Sequence, residues 1–206
     1  MKSVFDTRAA EYDAWYDRNR AVYLSELSAV RKVLPQGKKG LEIGAGTGRF
    51  AASLGIGTGI DPSRNMLKLA QKRGVDVRVG FGEEMPFKNG TFDYVAIIIT
   101  LCFVKNPKKV LEESFRVLRK NGRIIIGIVD KESFLGKYYL KKKSVFYKQA
   151  NFLSVNEVTE LLKESGFLGF SYYQTISTLP DEVRSVEKPK KGFGKGGFVV
   201  ISSAKR

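Results

Sequence analysis

The chain has 206 residues, 43% of them apolar and 28% charged, and a formal net charge of +15. That length suits one domain with a sizeable core, and no apolar run approaches the ~18 residues of a membrane span. With no histidine and one cysteine, Cys102, the sequence excludes Ser-His and Cys-His catalysis, histidine metal sites, an intrachain disulfide framework and a cysteine zinc cluster.

Proton transfer is thereby left to carboxylates, Tyr, Lys or water. The opening Met1-Lys2-Ser3-Val4-Phe5-Asp6 lacks the apolar core and cleavage site of a signal peptide, and a cytoplasmic protein is expected. Residues 1–100 hold 15 Lys and Arg against 11 Asp and Glu, net +4; residues 101–206 hold 21 against 10, net +11. The basic second half fits nucleic acid, an anionic small molecule or an acidic partner, and equally a lysine-rich solvated surface.

In chain order, residues 1–36 read as a helical cover with aromatics at Phe5, Tyr12, Trp15 and Tyr16, stopped by Pro35 and Gly37. Gly40 to Ile43 is a short buried strand that breaks into glycines at 44, 46 and 48. Such a turn lets a ligand approach bare backbone. A dinucleotide fingerprint needs its third glycine at 49, where the chain has Arg49. Glu42 sits inside the strand, where a carboxylate is costly unless a cation or donor meets it. The stretch therefore points to a ligand with an adenosine-like part and a cationic part.

Phe50 to Leu54 is a short helix and Ile56 to Ile60 a second strand, followed by Asp61-Pro62-Ser63 and a helix to Arg73. A carboxylate at such a strand tip can accept from both ribose hydroxyls; it can also cap the following helix, as Ser63 can. Val75 to Val79 alternates like an edge strand, residues 80–90 form a loop, and Phe92 to Thr100 is a continuous apolar strand for the middle of a parallel sheet. Pro107 opens a helix ended by Lys120-Asn121-Gly122, and Arg123 to Val129 is another buried strand. Residues 130–153 mix aromatics with lysines, including Lys141-Lys142-Lys143, and read either as a lid over a substrate pocket or as an amphipathic surface helix. Ser154-Val155-Asn156-Glu157 is a capping box opening a helix to Ser165. Phe167 to Thr178 is a strand, residues 179–197 a polar mobile loop, and Phe198 to Ser202 a last strand joined without a helix and so antiparallel. The alternation specifies an α/β, doubly wound, Rossmann-like sheet with helices on both faces.

Glu42-x-Gly44-x-Gly46-x-Gly48, Asp61, Phe92-Asp93-Tyr94-Val95 and Arg116-Val117-Leu118-Arg119-Lys120-Asn121-Gly122-Arg123, in that order, resemble class I S-adenosylmethionine-dependent methyltransferases. The opening Phe5-Asp6-x-x-Ala9-x-x-Tyr12-Asp13 is similar to the ubiquinone and menaquinone biosynthesis branch. The likeness is strongest over residues 5–129. It implies one methyltransferase domain on a mixed seven-stranded sheet, six strands parallel and the last antiparallel, with S-adenosyl-L-methionine as cofactor. It also implies that Gly44, Ala45 and Gly46, with Gly48 closing the turn, lie under the methionine part and Glu42 near its ammonium. Asp61 would hold the ribose, Pro62 and Met66 an adenine face, and Gly82 and Glu83 the adenine edge. Thr100 and Leu101 would lie near the sulfonium, and Tyr12 would close over the carboxylate. Three features depart from the pattern: Phe81 stands where many relatives carry an Asp, the helix after Gly48 is short, and Lys-Asn-Gly replaces a commoner Lys-Pro-Gly-Gly.

The leading expectation is methyl transfer by direct displacement to a small-molecule acceptor. Its rivals are an RNA or protein methyltransferase using the basic second half, a non-catalytic cofactor-binding module, and an NAD enzyme, which Arg49 and Glu42 disfavour. Cys102, after Thr100-Leu101, lacks the Pro-Cys context of a pyrimidine-methylating nucleophile and reads as a small buried thiol. No catalytic residue, metal ligand or acceptor is identified by the sequence.

Overall fold

The computed structural model describes residues 3–142 and 144–206. Three helices come first: α1 (Val4–Thr7), α2 (Ala9–Arg18) and α3 (Arg20–Arg31). Strands and helices then alternate as β1 (Gly40–Ile43), α4 (Arg49–Leu54), β2 (Thr58–Asp61), α5 (Arg64–Lys72), β3 (Asp76–Val79), β4 (Phe92–Ile98), α6 (Pro107–Val117) and β5 (Leu118–Val129). The remainder is α7 (Phe134–Lys141), α8 (Val155–Glu164), β6 (Phe167–Thr175), β7 (Lys190–Lys191) and β8 (Phe198–Lys205).

The strands form one sheet in the order β3-β2-β1-β4-β5-β8-β6-β7. Strands β1 to β5 pair in parallel, and β8 runs antiparallel to both β5 and β6, which places β6 parallel to the rest. The expected seven strands are thus present with an eighth: β7 adds two residues antiparallel to the outer edge of β6. So short a pairing between Pro189 and Gly192 leaves no alternating pattern to read. The other correction falls between α6 and β5. The helix stops at Val117, and residues 119–122 bulge between the Phe92–Leu118 and Tyr94–Arg123 pairs, with Asn121 at φ 62°. Lys120-Asn121-Gly122 therefore belongs to a bulged strand entry and not to a helix stop.

The central strands show why a continuous apolar run is needed. Tyr94, Ala96 and Ile98 of β4 face the layer of α2, α3, α4 and α7, while Val95 and Ile97 face α6 and α8. In β5, Ile125 and Val129 join the first layer and Ile124, Ile126 and Ile128 the second. Both faces are dry, so period-two alternation cannot appear. Ser154 caps α8 through the expected box, its hydroxyl accepting from the Glu157 amide at 3.2 Å and the Glu157 carboxylate accepting from the Ser154 amide at 2.7 Å. No helix among the described residues is long and apolar enough to cross a membrane.

Candidate functional site

The parallel strands deliver their carboxyl ends to one edge of the sheet, where the glycine loop leaves β1. Gly44, Gly46 and Gly48 have φ of 69°, 52° and 77°, a region that favours glycine. Space is as limiting as conformation. A Cβ on Gly44 would collide with the Thr100 side chain, and one on Gly48 would sit 2.8 Å from Ala70 Cα. Glycine here lets strand tip and helix approach as close as backbone allows.

The loop is stitched to β2. The Gly44 and Ala45 amides both donate to the Ile60 carbonyl, at 2.8 and 3.0 Å. The Gly46 amide donates to Asp61 Oδ2 at 3.0 Å, and the Ser63 amide to Asp61 Oδ1 at 2.8 Å. Burial raises the Asp61 carboxyl above its usual range, the Ser63 and Gly46 amides opposing and the Asp6 charge adding. Ser63, not Asp61, caps α5, its hydroxyl accepting from the Met66 amide at 3.2 Å. Pro62 is exposed and Met66 is buried. Across β1, Thr100 Oγ1 donates towards the Gly44 carbonyl at 3.3 Å and the Ile98 carbonyl at 2.9 Å. The tips of β1, β2 and β4 thus form one connected edge, with buried Leu101 following it.

Glu42 is 2% exposed, and its Oε2 has no hydrogen-bond partner. Burial pushes its carboxyl well above the usual carboxylate range; the Ala51 amide works against this and the Asp61 charge adds to it. At the next turn Gly82 is packed so tightly that a Cβ would lie 2.8 Å from Ile43 Cγ2. Glu83 uses Oε1 to accept from the Lys105 and Asn106 amides at 3.0 and 3.4 Å, holding the start of α6. Phe81 is 62% exposed.

The N-terminal helices are fastened over this edge. The Asp6 carboxylate accepts from the Ser63 hydroxyl at 2.9 Å, and the Asp6 carbonyl from Asn65 Nδ2 at 2.8 Å. Arg49, the residue that breaks the dinucleotide spacing, pairs with Asp13 at 2.9 Å and Asp17 at 2.6 Å, while Arg73 joins Asp13 at 2.8 Å. Tyr12 thereby sits with its hydroxyl 2.9 Å from that of Tyr16 and its ring edge-on to Phe5 and Phe146.

Tyr12 also borders a cavity of about 360 Å³ beyond the β4 and β5 tips. Tyr16, Tyr139, Phe146 and Tyr147 wall it, Ile99 and Val129 floor it, and Glu26 of α3 projects into it. Ile99 holds φ at 48°, strained for a β-branched residue. Sequence reading missed Glu26. Its signal was a lone carboxylate on the Val22–Glu26–Val30 face, at the spacing that stacks side chains along one side of a helix. Cys102 lies nearby, its thiol pushed up to about 12 by burial, which leaves no thiolate nucleophile at neutral pH.

Comparison with known proteins agrees with this geometry. A family model described as a methyltransferase domain matches residues 41–126. An uncharacterised protein of Methanocaldococcus jannaschii is 52% identical over 98% of this chain and 99% of its own. A demethylmenaquinone methyltransferase of Thermotoga maritima is 31% identical over 63% of this chain and 70% of its own. A Thermotoga maritima crystal structure, described as an S-adenosylmethionine-dependent methyltransferase and "possible histamine N-methyltransferase", superimposes with a TM-score of 0.95 at 45% identity, covering 98% of both chains. With the glycine loop, the Asp61 strand tip and the inserted antiparallel β8 all in place, the chain belongs to the class I S-adenosylmethionine-dependent methyltransferases.

Proposed function

We propose that this chain transfers a methyl group from S-adenosylmethionine to a small-molecule acceptor held in the aromatic cavity beside the strand tips. The observation that carries the reading is that cavity, about 360 Å³ and lined by residues of α2, α7 and 144–147. It has the size of a small-molecule site. The 130–153 segment is then an acceptor wall within one domain, and a cytoplasmic location belongs to the same reading.

The residues present suit the donor. Glu42 Oε2 is a buried acceptor without a partner, which fits the ammonium of a methionine group. Asp61, at the β2 tip, still has lone pairs for ribose hydroxyls. Gly44, Ala45, Gly46 and Gly48 would pass under the methionine part, and Pro62 and Met66 would meet the adenine, with Gly82 and Glu83 at its edge. Glu83 already serves the loop before α6, so its share of that contact falls to the one oxygen left free. Thr100 and Leu101 would flank the reacting end, and Tyr12 would close over the methionine carboxylate.

When bound, the cofactor supplies a methyl carbon already activated by a positive sulfur. What the chain adds is alignment, which can contribute about 7–11 kcal/mol towards a displacement barrier. Calorimetry with S-adenosylmethionine and its demethylated product should show binding of both, weakened by Asp61→Ala at least tenfold. Tight NAD binding in their place would sink the reading. A screen of small acceptors with labelled methyl donor tests turnover, and donor binding without turnover on any acceptor would favour a non-catalytic module.

A further inference from the structure

Glu26 is the one carboxylate in the aromatic cavity whose position no structural need explains. It is 2% exposed, its Oε2 has no hydrogen-bond partner, and no ion pair to it exists among the described residues. A carboxyl left so costs stability that a Leu on the same helix face would not. Among the described residues its charge bears on the phenols of Tyr12 and Tyr16 of α2, Tyr139 of α7 and Tyr147; Cys102 also acts on Tyr12 and Tyr147, and Asp181 on Tyr139. Among the described residues, the charged ones at the cavity border are Arg8, Glu11, Arg18 and Lys142. Arg8 pairs with Glu11 at 3.2 Å, and Lys142 lies over the Tyr138 ring at 5.1 Å.

We propose that the acceptor is a small cationic amine, and that Glu26 binds its ammonium and takes its proton before methyl transfer. Aromatic faces with one buried carboxylate are the surroundings that favour an organic cation over a neutral or anionic compound of the same shape. The inference rests on the methyl transfer proposed above. In the step, the bound ammonium passes one proton to the Glu26 carboxylate and becomes a neutral amine. Its nitrogen lone pair then forms the N–C bond as the methyl–sulfur bond breaks, and the bonding pair stays on sulfur as a neutral thioether. The product leaves as an N-methylammonium, and Glu26 gives its proton to solvent.

Burial holds the free Glu26 carboxyl at about 8, near the range of the amines it would meet, which suits proton transfer in either direction. Ammonium binding needs the carboxylate, so affinity should climb with pH up to about 8, level off, and fall once the amine itself loses its proton.

The test uses the full chain and a panel of small aryl-alkyl and alkyl amines with their alcohol and carboxylate isosteres, labelled methyl donor, and calorimetry. Turnover should be confined to amines. Glu26→Gln should weaken amine binding at least about tenfold, flatten the limb near pH 8, and leave binding of the demethylated cofactor within about twofold. Glu26→Asp should restore part of the pH dependence. Carbon-13 NMR of the glutamate carboxyls should show one titrating near 8 that Glu26→Gln removes and a bound amine lowers. Turnover on alcohols or carboxylates, amine turnover indifferent to Glu26→Gln, or donor binding with no amine turned over would each overturn the proposal. Loss of donor binding by the native chain would instead overturn the methyltransferase reading beneath it.

Discussion

At the scale of single residues, two carboxylates with opposite legibility frame the site. Asp61 could be placed from sequence because a strand, an acidic tip and a Pro-Ser turn follow the glycine loop at fixed distance. The structure adds that its oxygens already hold the Gly46 and Ser63 amides. Glu26 could not be placed that way, since one Glu in a helix is an ordinary surface residue until the fold turns its face inward. Its burial has a consequence for stability that needs no ligand. In the folded chain the carboxyl titrates at about 8, against an ordinary value of 4.5. Its full contribution to folding is therefore present below about pH 4.5 and lost as the pH rises through 8. Glu26→Gln, which cannot ionise, should roughly match the native chain in thermal unfolding at pH 5 and exceed it by up to about 4–5 kcal/mol at pH 9. Parallel melting curves at the two pH values would show that Glu26 is not buried without a partner.

Among the elements, those whose residues carry local signals were legible: the Ser154 capping box, the Gly40–Ile43 strand and the short α4 each lie within about a residue of their expected bounds. The two-residue β7 and the bulge over 119–122 carried no such signal, because both depend on a partner strand. The attachment of α2 was also invisible, although its parts, Asp13, Asp17, Arg49 and Arg73, were all in view. Burial alone would raise the Asp13 carboxyl, but hydrogen bonds from Arg49, Thr47 and Arg73 outweigh it and hold Asp13 at about 2. The clamp thus stabilises the fold above about pH 3.8 and is lost as pH falls through 2. Asp13→Asn leaves two guanidinium groups without their shared carboxylate and should cost about 1–3 kcal/mol at pH 7. Since α2 carries Tyr12 and Tyr16 into the cavity wall, the same variant should expose residues 9–18 to proteolysis and raise the apparent acceptor KM. Hydrogen exchange localised to α2 would confirm the clamp, whereas global loosening with α2 still protected would refute it. At acid pH the two stability curves should converge.

For the molecule as a whole, the question is whether a net charge of +15 describes the substrate or only the surface. Lys141 and Lys142 are exposed at the end of α7, beside the cavity, while Lys143 lies outside the described residues. A basic surface binds any polyanion by displacing counterions, and that affinity falls steeply with salt whatever the biological ligand. Binding of tRNA at low salt is therefore expected and says little about the acceptor. The cavity is the discriminating feature: tyrosine and phenylalanine dominate its walls, the Glu26 carboxyl lines it, and among the described residues its cations are Arg8, Arg18 and Lys142 at the border. A base flipped into the pocket would put its flanking phosphates at the border, beside Arg18, Lys142 and the Arg8 that is paired with Glu11. Replacing Lys141 and Lys142 by Gln together should flatten the salt dependence of tRNA retention by about one to two units of log–log slope. Labelled methyl should not enter tRNA at 150 mM salt in either form. Incorporation into RNA that those lysine substitutions abolish would move the acceptor out of the cavity and onto the surface, and the whole-molecule charge would then be the functional feature.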